Sequence, residues 1–112
     1  MSEVMNVVGD CMRRNVVVFD DICDTAGSIC NAATALKERG ALEIVACVTH
    51  AILSDPACQR LSESCFDLIL FSDSIDISTK IHAIQKPVKI ISCADILAIN
   101  IRCIHDSESI MD

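Results

Sequence analysis

Val16–Ser28, with the sequence VVVFDDICDTAGS, is the stretch that decides the fold. Its first residues belong to a short run rich in β-branched residues, Asn15–Phe19, which predicts a buried parallel strand. Acidic and small residues follow as far as Ser28, and from Ile29 onward apolar residues recur at the spacing of an amphipathic helix. A buried strand that leads through a short loop into a helix is the building unit of a parallel α/β sheet.

The rest of the chain repeats this alternation. Further strands are predicted at Leu42–Val48, Asp67–Phe71 and Val88–Ile91, and helices from Asp55 to about Glu63 and from Ser92 to about His105. The order β-α-β-α-β-β-α predicts an α/β fold with a mostly parallel sheet and helices on both faces. A chain of 112 residues, 52% of them apolar, has the length and composition of a single domain spanning residues 1–112.

Composition argues against several classes of partner. The formal net charge of -7 disfavours nucleic acid, whose phosphates are held by Lys and Arg, and with three Phe and no Trp or Tyr the chain lacks stacking platforms for bases. No apolar run approaches the roughly 18–20 residues that span a bilayer. The first residues do not have the pattern of a secretory signal, so a cytoplasmic protein is expected.

Eight cysteines are many for so short a chain. They lie inside apolar runs, as Cys47 does between Ala46 and Val48, and no two have the C-x-x-C spacing of a zinc site. We therefore interpret them as free thiols that serve as small core residues, rather than as a disulfide framework.

The loop that follows the first predicted strand has two chemically different halves. Thr25–Ser28 is small, carries a hydroxyl at each end and opens into a helix, whose N-terminal amides and dipole favour an anion such as phosphate. Asp20, Asp21 and Asp24 would repel a phosphate, but they suit vicinal hydroxyls or a hydrated Mg²⁺. A ligand that carries a phosphate at one end and vicinal hydroxyls at the other is a sugar phosphate.

A simpler interpretation of the same residues stays open. Asp20 and Asp21 are also typical polar residues at the end of a strand, and Thr25 is a good helix N-cap. The loop has neither G-x-G-x-x-G nor a P-loop lysine, which disfavours a dinucleotide or a simple nucleoside triphosphate.

Val16–Ser28 resembles the phosphoribosyl pyrophosphate motif of type I phosphoribosyltransferases, and most closely that of ribose-phosphate pyrophosphokinases. That family has four apolar residues, two Asp, two variable residues and then Asp-Thr-Ala-Gly-Thr. Residues 29–41 resemble its first helix and cap, Thr49-His50 begins a segment like its Thr-His-Gly loop, and Ile101–His105 resembles its last helix. The resemblance extends over nearly the whole chain.

The resemblance implies a site and an activity. Asp24, Thr25, Ala26, Gly27 and Ser28 would hold the 5-phosphate of ribose 5-phosphate. Asp20 and Asp21 would meet the ribose hydroxyls and a Mg²⁺ that they share. The family transfers a pyrophosphoryl group from MgATP to ribose 5-phosphate, giving phosphoribosyl pyrophosphate for nucleotide biosynthesis.

Departures from the family pattern leave alternatives open. The chain resembles only the C-terminal half of such an enzyme, so the N-terminal domain with most ATP contacts is expected to be absent and the isolated chain to be inactive. Ser28, Ala51, Asp55 and Asp76 stand where the family usually has Thr, Gly, Gly and Pro. The chain is therefore expected to be part of a pyrophosphokinase or, alternatively, a non-catalytic regulatory subunit. A phosphoribosyltransferase is a third hypothesis, and a homo- or hetero-oligomer is expected.

Overall fold

The sheet has four parallel strands that lie side by side in chain order. A computed structural model describes residues 9–107. Its elements are β1 (Val16–Cys23), α1 (Gly27–Glu38), β2 (Ile44–Ala51), α2 (Ala57–Ser62), β3 (Leu68–Ser72), a 3₁₀ turn (Ile81–Ala83), β4 (Val88–Ile91) and α3 (Ala94–His105). The order of elements and the parallel α/β class expected from the sequence are confirmed.

The core lies between one face of the sheet and the helices α1 and α2. Alternate residues of β2 and β3 point to this face and are buried, among them Ile44, Ile69 and Phe71. Leu61 of α2 and Phe66, which follows it, are buried with them. The core is aliphatic apart from two phenylalanines and the cysteines Cys11 and Cys23, which agrees with the scarcity of aromatic residues in the chain.

The described helices α1 and α2 lie on the same face, because they contact each other and their buried residues share one core cluster with the inward residues of β2 and β3. Residues on the opposite side of the strands, which we call the open face, include Val17, Phe19, Cys47 and Leu70. Phe19 is 77% exposed. The sequence predicted helices on both faces, but strands in simple chain order favour crossovers on one side.

α3 is apolar but packs little on the rest of the described chain. Ile96, Leu97, Ile99, Ile101 and Ile104 are each more than half exposed. The structure places no strand or helix of residues 9–107 in extensive contact with them. Residues 9–107 therefore leave the apolar surface of α3 uncovered.

All eight cysteines carry free thiols, and Cys11, Cys23 and Cys103 are buried. No helix within residues 9–107 has the length and apolar character needed to cross a membrane.

Candidate functional site

The predicted loop forms a pocket of about 220 Å³ at the carboxyl end of β1. It is lined by Asp20 and residues 22–29. The structure thus brings together all the residues proposed from the sequence except Asp21. Ligands of parallel α/β sheets bind at this edge, where strands lead into helices.

β1 is longer than the sequence indicated, and this separates the two neighbouring aspartates. The strand continues through Asp20 and Asp21 because pairing with β2 extends to Ile22–His50 and Cys23–Ala51. Successive side chains of a strand point to opposite sides. Asp20 therefore lines the pocket, whereas Asp21 accepts a hydrogen bond from the Ile22 N–H at 2.8 Å and does not line it.

The other half of the pocket is built from backbone amides at the start of α1. Ala26 is the N-cap in a left-handed conformation, with φ 67°, and its side chain makes no capping bond. Within residues 9–107, no protein group accepts a hydrogen bond from the N–H groups of residues 25–29. Thr25 is thus not the side-chain cap that the simpler interpretation required.

Amides without an acceptor next to a left-handed residue at a helix start suit an anion. A left-handed residue next to helical ones directs successive N–H groups to one side, and the helix dipole adds partial positive charge there. The first turn of α1 contains no acidic residue that would neutralise it. Ser28 is exposed in this turn, so its hydroxyl is available to the same ligand.

The acidic half of the pocket surrounds a buried thiol. Burial, together with the neighbouring Cys30, Asp20 and Asp24, raises the pKa of Cys23 to about 12. Cys23 is therefore a neutral thiol at physiological pH and a poor nucleophile. Its carbonyl accepts hydrogen bonds from the N–H groups of Ile52 and Leu53, at 2.9 and 3.2 Å, which fix the end of β1 beside the β2–α2 loop.

Arg60 of α2 is a neighbour of the pocket that sequence reasoning missed. Its Nη1 donates a hydrogen bond to the Thr25 carbonyl oxygen at 3.2 Å. The contact joins residues 35 positions apart. No local pattern signals it, because it depends on how α2 packs against α1.

His50, in the segment that resembles the family's Thr-His-Gly loop, lies outside the pocket lining. Its Nδ1 is 2.8 Å from the Ser74 hydroxyl, and that hydroxyl donates to the Thr49 carbonyl oxygen at 2.9 Å. Ser72 donates to the same oxygen. The histidine is thus held at the end of β2 by neighbouring polar groups.

Residues 9–107 contain no cluster of three or more His, Cys, Asp or Glu side chains that would hold a metal ion on its own. Asp20 and Asp24, however, line one pocket. Mg²⁺ is commonly bound through one or two carboxylates together with waters and substrate phosphates. The donor set fits a magnesium ion shared with a ligand, and not a site made by protein alone.

Comparison with known proteins identifies the family. The family model of the phosphoribosyl synthetase-associated domain matches residues 2–112. The chain belongs to this family. The phosphoribosyl synthetase-associated domain described here is 44% identical over 110 residues to a ribose-phosphate pyrophosphokinase of Vibrio parahaemolyticus, and 41% identical over 109 residues to one of Caulobacter vibrioides. These alignments cover 98% and 97% of the chain, but 35% of each relative.

A solved structure shares the fold of this phosphoribosyl synthetase-associated domain. The crystal structure of phosphoribosylpyrophosphate synthetase from Mycobacterium smegmatis superimposes with a TM-score of 0.80 and 31% sequence identity, over 89% of this chain and 33% of that one. The domain thus spans about a third of the length of the relatives it matches. The comparisons confirm the resemblance to ribose-phosphate pyrophosphokinases, but they do not support its narrower form, the assignment to the C-terminal half of such an enzyme.

Proposed function

We propose that this domain binds ribose 5-phosphate in the pocket after β1, as part of a ribose-phosphate pyrophosphokinase. In that reaction a pyrophosphoryl group passes from MgATP to the sugar, and phosphoribosyl pyrophosphate is made for nucleotide biosynthesis. The observation that carries the proposal is the pocket itself, which is lined by Asp20, Asp24 and residues 25–29, whose amides have no hydrogen-bond acceptor within residues 9–107.

The two halves of the pocket suit the two ends of this ligand. The amides of residues 25–29 and the Ser28 hydroxyl would donate to the 5-phosphate oxygens, with Asp24 closing the loop beside them. Asp20, which lies in β1 before the loop, would accept hydrogen bonds from the ribose hydroxyls. A free phosphate would accept hydrogen bonds from the amides, but the carboxylates would repel it. A sugar phosphate has its negative charge at one end and its hydroxyls at the other, so the carboxylates can accept hydrogen bonds from the hydroxyls.

Asp21 has a different position in this proposal. Its carboxylate would have to give up the hydrogen bond from the Ile22 N–H in order to reach the ribose hydroxyls or a shared Mg²⁺. We therefore expect Asp21 to contribute less than Asp20 to binding, although the two are neighbours in the sequence.

Mg²⁺ would be held jointly by the ligand and by Asp20 and Asp24, and would neutralise negative charge on the substrates. The domain itself binds and orients the sugar phosphate. Residues that bind ATP would come from the remaining two thirds of the length of a relative or from a partner chain. The isolated domain is accordingly proposed to bind ribose 5-phosphate without turning it over.

Calorimetric titration of the purified domain with ribose 5-phosphate in the presence of Mg²⁺ tests the proposal. We expect saturable binding, with ribose alone binding far more weakly because it lacks the phosphate. Asp20→Asn should weaken binding roughly tenfold, the loss of one charge-assisted hydrogen bond to a ribose hydroxyl. Asp24→Asn should weaken binding in Mg²⁺ because a ligand of the shared ion is lost. Asp21→Asn is the matched control, with the same charge change one residue away and an expected change of about twofold or less. No binding by the folded wild-type domain would overturn the proposal.

The apolar surface favours a second candidate function, a non-catalytic subunit that associates with a full-length synthetase. Exposed α3 and the open face would form the contact, since large apolar patches mark interfaces. Co-purification of the domain with a complete synthetase, combined with no ribose 5-phosphate binding, would favour this candidate. A domain that stays monomeric and does not bind a synthetase would count against this candidate and against the expected oligomer.

A further inference from the structure

Arg60 links α2 to the amide half of the pocket without lining the pocket. Its guanidinium donates to the carbonyl oxygen of Thr25, and it lines a neighbouring depression together with Gly27 and Cys30. The pocket after β1 does not include it. Arg60 can therefore act on a ligand there through the loop that it holds, in addition to the field of its charge.

The contact fixes the direction of one of the anion-binding amides. Thr25 and Ala26 are joined by a trans peptide bond, in which the carbonyl and the following N–H point in opposite directions. Because Arg60 holds the Thr25 carbonyl oxygen, the Ala26 N–H is turned away from Arg60. Rotation of this peptide unit would instead present a carbonyl oxygen to the ligand, and a carbonyl repels an anion.

The conformation that Arg60 holds is one that the loop would not adopt readily alone. Ala26 has φ 67° and ψ 12°, a left-handed conformation that is unfavourable for any residue with a Cβ. Such conformations persist only where the surrounding structure enforces them. The buried methyl group of Ala26 supplies one constraint, and the Arg60 hydrogen bond to the preceding carbonyl supplies a second.

Gly27 leaves the space that this arginine needs. A Cβ at position 27 would lie 3.2 Å from Arg60 Nη1, closer than an ordinary van der Waals contact. Apart from residues 26–28 and the adjacent backbone of α1, the only other heavy atom of the described residues within 4 Å of that position is the Arg60 Cζ, at 3.9 Å. A side chain at 27 would thus act first on Arg60 and, through it, on the Thr25 carbonyl.

We propose that Arg60 is a positioning residue that holds the Thr25–Ala26 peptide unit so that the Ala26 N–H faces the bound phosphate group. The ligand part of this inference rests on the proposed function. The orientation of the peptide unit does not, since it is a property of the free protein.

Affinity measurements on variants test the ligand part. Arg60→Met should lower the affinity for ribose 5-phosphate roughly tenfold, and Arg60→Lys, which keeps the charge and one possible donor, should recover part of that loss. Arg102→Met removes the same charge from exposed α3 and should leave the affinity within about twofold. Gly27→Ala should weaken binding in the wild type and add little in the Arg60→Met background, because both changes break one contact.

Nitrogen-15 NMR of the free protein tests the orientation separately. We expect the Ala26 amide resonance to shift or broaden in Arg60→Met, and to stay in place in Arg102→Met, while both variants keep the wild-type melting temperature to within a few degrees. An unchanged Ala26 amide in Arg60→Met would overturn the inference, whatever the ligand data show. Failure of the wild type to bind ribose 5-phosphate, with the Ala26 amide displaced as expected, would instead remove the proposed function alone.

Discussion

Ser28→Asp places a carboxylate among the amides at the start of α1 and should have opposite effects on stability and on binding. The first turn of α1 has no acidic residue, and its N-cap makes no side-chain hydrogen bond. A carboxylate at this position would be favoured by the helix dipole by about 0.3–1 kcal/mol. For a domain of this size we expect a melting temperature higher by roughly 1–4 °C.

The same carboxylate should compete with a phosphate for the site. Two unit charges about 4 Å apart repel by about 4 kcal/mol at an effective dielectric constant near 20, which corresponds to about a thousandfold in affinity. Solvent around exposed Ser28 screens part of this, so we expect the dissociation constant for ribose 5-phosphate to rise at least about a hundredfold. Differential scanning calorimetry and titration calorimetry measure the two effects on the same samples.

Two control variants separate position from charge. Thr34→Asp adds the same charge to the second turn of α1, where Thr34 is exposed, and should neither stabilise the protein nor change binding by more than about threefold. Ser28→Thr keeps the hydroxyl and should bind nearly as the wild type does. The reasoning is refuted if Ser28→Asp binds ribose 5-phosphate as well as Thr34→Asp, because the ligand charge would then lie elsewhere.

Three further predictions concern the fold. Phe71→Ala should lower the free energy of unfolding by about 3–5 kcal/mol in urea denaturation, because Phe71 is fully buried, whereas Ile91→Ala on exposed β4 should cost about 1 kcal/mol or less. Cys23, with its raised pKa, should resist thiol reagents at pH 8 in the folded protein. Because its thiol ionises more readily in the unfolded chain, the free energy of unfolding should fall as pH rises from about 9 toward 12, by at most about 1.4 kcal/mol per pH unit. Labelling at the unfolded rate, or alkaline stability without such a decline, would contradict this. Leu97→Ser with Ile101→Ser should leave the melting temperature nearly unchanged and reduce self-association in light scattering, and equal association of variant and wild type would exclude α3 as the contact.

Local sequence patterns sufficed for the order of the elements. Strand and helix periodicities are visible in single segments, so β2 and α1 were predicted to within a few residues. The end of β1 was missed because Asp20 and Asp21 have the composition of a loop, and only pairing with β2 keeps them in the sheet.

The candidate site was predictable as a segment but not as a geometry. Motif and composition indicated residues 20–28, and the pocket lies there. Asp20 lines the pocket and Asp21 does not, because side chains alternate along β1. The strand predicted from the sequence ended at Phe19, before both residues. The contact between Arg60 and Thr25 joins two elements through tertiary packing, so no spacing in the sequence announces it.

The most direct test of the central claim is a nitrogen-15 NMR titration of the domain with ribose 5-phosphate and Mg²⁺. Binding in the proposed pocket predicts that the largest shifts fall on the amides of residues 25–29, with smaller ones at Asp20 and none on α3. Large shifts confined to other parts of the domain, or none at all from a folded sample at saturating ligand, would contradict the claim that this pocket binds ribose 5-phosphate.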